Sequence, residues 1–214
     1  MIMASGAEGF QPGITSFDEY ARWNMEETTF GIKTVCPDGV TVSESAKPLH
    51  LSETERETIL DSVWQNITSL AEAYPDVTFY YFFTPYSVVW WGRLVNDGSI
   101  YKQIESEKLV IEEVLKHQNI KMYSFNTLTD ITTDLNHYKD EYHYGPWINS
   151  LMIKYMKDGK CLLTDDNYQE YLNEELSFYI SYDYSQLNAQ ADYEDDCYAE
   201  ELLNQKIDGV ESLD

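Results

Sequence analysis

An α/β fold, layered around a parallel sheet that is short of strands, is what this sequence predicts, and three observations predict it. Helix and strand patterns alternate between residues 52 and 125, and short connections join them. Val77 to Phe83, VTFYYFF, is β-branched and aromatic without polar alternation, as expected of a strand covered on both faces. Only two clear strands can be read, whereas a doubly wound domain usually has about four or five.

The elements follow in order. Residues 1–16, rich in Gly, Ser and Ala, read as a loose start, and Phe17, Tyr20 and Ala21 suggest a helix up to Met25. Pro37, Gly39 and Pro48 mark a loop with room for a short strand near Val40 to Val42. Ser52-Glu53-Thr54-Glu55 has the pattern of a capping box, so a helix starts there. Ile59, Val63, Ile67 and Leu70 give it one buried face until Pro75 ends it. After the VTFYYFF strand, apolar positions among Glu and Lys predict a helix over Ile100 to His117, and Ile120 to Phe125 reads as a second strand. A polar stretch from Asn126 to Gly145 precedes a helix from Pro146 to Lys157, with proline in its first turn, and a last helix runs from Asp166 to Ser181. The domain is thus placed at residues 17–184. Residues 185–214 read as an acidic tail, with nine Asp and Glu against Lys206 alone from Ala191 onward.

Composition narrows the function. The 214 residues carry 14 Lys and Arg against 38 Asp and Glu, a formal net charge of −24, and no basic cluster stands out. Such a surface repels phosphate backbones and anionic lipid, which excludes nucleic acid as a partner. Cys36, Cys161 and Cys197 are too scattered for a disulfide framework or a zinc site. No EF-hand spacing is present, so neither metal nor other cofactor is expected. No basic-then-apolar leader or membrane-length apolar run occurs in the sequence.

Ligands of open parallel sheets bind beyond the carboxyl ends of the strands, which directs attention to the loops after Phe83 and Phe125. The first contains Thr84-Pro85-Tyr86-Ser87, then Val88-Val89-Trp90-Trp91. The second contains the spacing D-x-x-H twice, as Asp134 to His137 and as Asp140 to His143. A carboxylate at that spacing can accept the imidazole Nδ1 proton and leave Nε2 as a base for a serine hydroxyl. The plainer roles are a loop histidine for His143, a helix-terminal cap for Asp140 and an N-cap for Ser87.

The run Leu135 to Tyr144, LNHYKDEYHY, followed by Pro146 and a helix, resembles the last motif block of the SGNH (GDSL-type) hydrolases. Phe82 to Ser87 at a strand end and Leu163 to Tyr168 after the helix resemble a bacterial cell-envelope branch near the lipoteichoic-acid D-alanylation protein. The likeness spans Phe17 to Tyr184. It implies a three-layer, flavodoxin-like fold, Asp140 and His143 as the Asp and His of a Ser-His-Asp triad, and an esterase or acyltransferase acting on acyl esters of an envelope glycan. It also implies an extracytoplasmic setting. Neither the family's nucleophile block nor its middle Gly and Asn blocks can be assigned, so the chain is expected to be the carboxy-terminal half of such a domain and inactive, or nearly so, alone. Ser87 is the one candidate nucleophile near the pair, with Tyr86, Trp90, Trp91 and Tyr144 as candidate substrate walls. The rival reading is a non-catalytic interaction protein or homodimer, because a short sheet leaves an edge free to pair.

Overall fold

The computed structural model describes residues 30–39, 42 and 46–189. The expected helix at 17–25, the loose start and the tail from Ala191 fall outside them, as do Val40 and Thr41 of the expected short strand. The described chain is α/β, with eight α-helices and one small mixed sheet.

A single turn, α1 (Ile32–Val35), precedes α2 (Glu53–Val63). The capping box forms: Glu55 N–H donates to the Ser52 hydroxyl at 3.3 Å, and the Glu55 carboxylate accepts from Ser52 N–H at 2.8 Å. The helix continues through a π-helical turn, Trp64–Thr68, into α3 (Ser69–Ala73) and ends two residues before Pro75. The strand β1 is Phe79–Phe83, and two helices, α4 (Val88–Asp97) and α5 (Ile100–Val114), cross over to β2 (Ile120–Ser124). The two strands pair in parallel from Phe79 opposite Ile120 to Phe83 opposite Ser124. Then come α6 (Thr129–Thr132), a 3₁₀ turn at Leu135–His137, α7 (Pro146–Lys157), β3 (Leu162–Leu163), α8 (Tyr168–Ser181) and a 3₁₀ turn at Tyr184–Ala189.

Two expectations are corrected. β1 is not covered on both faces: it is an edge strand, and Tyr80 and Phe82 on one face are 51% and 41% exposed. Tyr80 stacks on Tyr123, and Phe82 meets Phe125 edge-on, so aromatic neighbours rather than a helix layer cover that face in part. The sheet is also not purely parallel, because the two-residue β3 pairs antiparallel with β2. Leu162-Leu163 is too short for its periodicity to register as a strand.

The main core joins α4, the end of β2, the 128–148 segment and α8. At its centre the Trp91 ring lies parallel to Tyr179, with centroids 4.3 Å apart. Trp91 and Leu187 are fully buried, so the packed domain runs past residue 184 to the second 3₁₀ turn. The thiols of Cys36 and Cys161 are both pushed up by burial, away from reactive thiolate character.

α4 stops at Gly98, which takes a left-handed conformation with φ of 80° as helix α5 begins two residues later. A Cβ there would lie 2.1 Å from the Lys47 carbonyl oxygen. Gly98→Ala is expected to destabilise the fold by at least about 1 kcal/mol, the penalty of left-handed backbone for a residue with a Cβ, with the clash adding to it. Urea denaturation measures it, and an unchanged midpoint would contradict this packing.

Candidate active site

Parallel pairing of β1 and β2 puts their carboxyl ends on the same side, and the loops that leave them meet. The second loop returns on itself at residues 138–144, where Tyr138 and Tyr144 form an antiparallel bridge and Lys139 N–H donates to the His143 carbonyl at 3.0 Å. The first loop holds this turn. Ser87 N–H and the Ser87 hydroxyl both donate to the Glu141 carbonyl, at 3.1 and 3.0 Å, and the Tyr138 hydroxyl donates to the Pro85 carbonyl at 2.7 Å. On the solvent side Arg93 pairs with the Glu141 carboxylate and donates to the Tyr142 hydroxyl at 2.9 Å.

Inside the turn the Asp140 carboxylate accepts from the backbone N–H groups of Tyr142 and His143, at 2.9 and 2.8 Å. Its two oxygens also lie 2.9 and 2.8 Å from Nδ1 of His143. Burial lifts the Asp140 carboxyl, but the two amides and the imidazole outweigh it and bring the group below its ordinary value. An ionised Asp140 accepts the Nδ1 proton, which leaves Nε2 as the free lone pair of the neutral ring. The His143 side chain is 66% exposed, so that nitrogen is open to a reactant.

The first D-x-x-H copy is built differently. His137 is buried, its Nδ1 accepts the indole N–H of Trp147 at 3.1 Å, and Nε2 lies 3.7 Å from Asp134. Asp134 instead caps the 3₁₀ turn through the Asn136 amide. This ring fastens α7 to the loop and has little access to a substrate.

Ser87 stands at the N-terminus of α4 but makes no side-chain cap. Its hydroxyl is wholly buried, and its proton is directed at the Glu141 carbonyl rather than at an imidazole. Tyr86 packs edge-on against both Trp90 and Tyr142, so Tyr86 meets the turn directly and Trp90 lies behind it. Tyr144 is half-buried against Tyr138, and burial raises its hydroxyl to about 12. Trp91 points the other way, into the core, and is no wall residue. Arg93, Glu141 and Tyr142 are additions that sequence reading missed. Arg93 and Glu141 are 48 residues apart, and only the crossover brings them together.

No family model, curated protein or solved structure matches the chain. No helix among the described residues is long and apolar enough to cross a membrane.

The Ser87 geometry predicts a structural role. Ser87→Ala is expected to cost about 1 kcal/mol, the loss of one buried hydrogen bond, by urea denaturation. A neutral substitution would show that the hydroxyl does not hold the turn.

Proposed function

We propose that the chain carries the base and its orienting carboxylate for an SGNH-type esterase or acyltransferase. Its substrates are acyl esters of an envelope glycan or similar polymer, and its serine lies outside the described residues. The observation that supports this reading is the Asp140 and His143 pair. Both carboxylate oxygens lie within hydrogen-bonding reach of Nδ1, at the meeting point of two strand-end loops, and the adjacent Tyr142 ring packs edge-on against Tyr86. In the reaction Nε2 of His143 takes the proton of the serine hydroxyl as its oxygen attacks the ester carbonyl, and the imidazolium is stabilised by Asp140. When the tetrahedral intermediate collapses, the same proton passes to the leaving alkoxide. Tyr86 and Trp90 offer flat apolar faces to a sugar ring. The sequence resemblance to the SGNH block at Leu135 to Tyr144 adds to the proposal.

An exposed, oriented imidazole also accelerates hydrolysis of activated esters without a serine. The chain is expected to hydrolyse p-nitrophenyl acetate slowly. His143→Ala should remove most of that rate, Asp140→Asn should lower it, and Ser87→Ala should leave it unchanged. A rate indifferent to His143→Ala would overturn the reading. Fluorophosphonate labelling of Ser87 would replace it with a self-contained triad.

One observation favours a second reading, a non-catalytic partner-binding or self-associating protein. Among the described residues no strand pairs the outer edge of β1, and Tyr80 and Phe82 lie exposed beside it. Size-exclusion mass across a concentration series distinguishes the two, since edge pairing between copies gives a dimer and the esterase reading requires none.

A further inference from the structure

Away from the turn, the core holds two acids that the proposed chemistry does not use. Glu107 on α5 and Glu175 on α8 are both essentially inaccessible, and their carboxyl groups lie within hydrogen-bonding reach of each other. Among the described residues no cationic side chain pairs with either. One oxygen of Glu107 accepts from Gln103 at 2.8 Å and from the Asn126 amide nitrogen at 3.4 Å. Its other oxygen, Oε2, has no donor except a proton carried by the pair itself.

Two ionised carboxylates in contact, out of water and without a cation, repel each other at high cost. A proton removes a charge and adds a bond, because the carboxyl O–H of one acid can donate to an oxygen of the other. Burial lifts the Glu107 carboxyl to about 7, and burial together with the neighbouring Glu107 pushes Glu175 well above the ordinary carboxylate range. The other titratable groups facing the pair are Tyr171 and Tyr179 of α8, and burial raises both hydroxyls well above their ordinary value, so they stay neutral. The remaining neighbours carry no charge. β2 contributes Ser124, hydrogen-bonded to the Tyr171 hydroxyl at 2.6 Å, its loop contributes Asn126, and α4 contributes Trp91, stacked on Tyr179.

We propose that Glu107 and Glu175 form a proton-held latch between α5 and α8, tight in mild acid and weakened as the pH rises through neutrality. Protonated, the two carboxyls join the helices across the core; ionised, they drive them apart. The latch sits at the root of the loop that carries Asp140 and His143. Asn126 opens that loop, and the Tyr179 hydroxyl of α8 fastens it by donating to the Asn126 carbonyl at 2.6 Å and to the Thr132 hydroxyl at 3.0 Å. Loosening α8 therefore loosens the support of the turn. The latch follows from the packing of the core and is independent of the esterase reading.

The test is urea denaturation of the full chain at constant salt, from about pH 5 to about pH 8. An unfolded carboxyl loses its proton near its ordinary value of 4.5, whereas the folded pair keeps its protons to about 7 and beyond. Between those values the folded state binds more protons than the unfolded one, so stability falls as pH rises. The wild-type midpoint is expected to drop steadily across the range. The double variant Glu107→Gln with Glu175→Gln, neutral at every pH, should lose most of that drop and be more stable than the wild type at about pH 8. Glu174→Gln, an exposed neighbour on α8, should keep the wild-type slope, which separates the latch from repulsion across the acidic surface. A flat wild-type profile, or an equally steep fall in the double variant, would overturn the proposal. Infrared spectroscopy of the wild-type chain decides even if the double variant fails to fold. At about pH 6.5, where exposed carboxyls are ionised, a carbonyl band from protonated carboxyl is expected, and its absence would overturn the proposal as well.

Discussion

Parallel pairing of Phe79–Phe83 with Ile120–Ser124 is the constraint on which the rest of the structure depends. Two parallel strands cannot be joined by a tight turn, so the chain must cross over, and here α4 and α5 do so. The crossover fixes three things together. It buries Trp91 against Tyr179, brings Ser87 and Arg93 beneath the 138–144 turn, and lays Glu107 against α8. Core, turn and buried acidic cluster are consequences of one strand pairing.

The turn itself shows how a short polar segment obtains a definite shape without a core of its own. Its Glu141 carbonyl accepts twice from Ser87, its Glu141 carboxylate meets Arg93, and Tyr138 ties it to Pro85. Asp140 is then free to bind the amides of the turn and the imidazole at once. The side chain that looked like a nucleophile from its place in the sequence proves to be a strut, because its buried hydroxyl proton points at a carbonyl. That distinction rests on a hydrogen bond between residues 54 apart.

Local patterns made the local features legible. The capping box at Ser52, the stop before Pro75, proline at the start of α7 and the strand cores of β1 and β2 are set by neighbours within a few residues. The D-x-x-H contact between Asp140 and His143 is of the same kind, since three residues suffice to close it. What was not legible depends on distant partners. The exposed face of β1 follows from its edge position, and the antiparallel β3 is too short to declare itself. In α5 and α8, Glu107 and Glu175 look like ordinary helix-surface acids, and only helix packing reveals them as buried. Likewise the two D-x-x-H copies look alike until Trp147 is seen to occupy the His137 ring.

The central claim, that Asp140 fixes His143 as an outward-facing base, is tested most directly by long-range proton–nitrogen NMR on the chain labelled at histidine nitrogen. The account predicts that the neutral His143 ring carries its proton on Nδ1, with Nε2 unprotonated, and that Asp140→Asn abolishes this preference. Finding the proton on Nε2 in the wild-type chain, or the same tautomer mixture in both proteins, would contradict it.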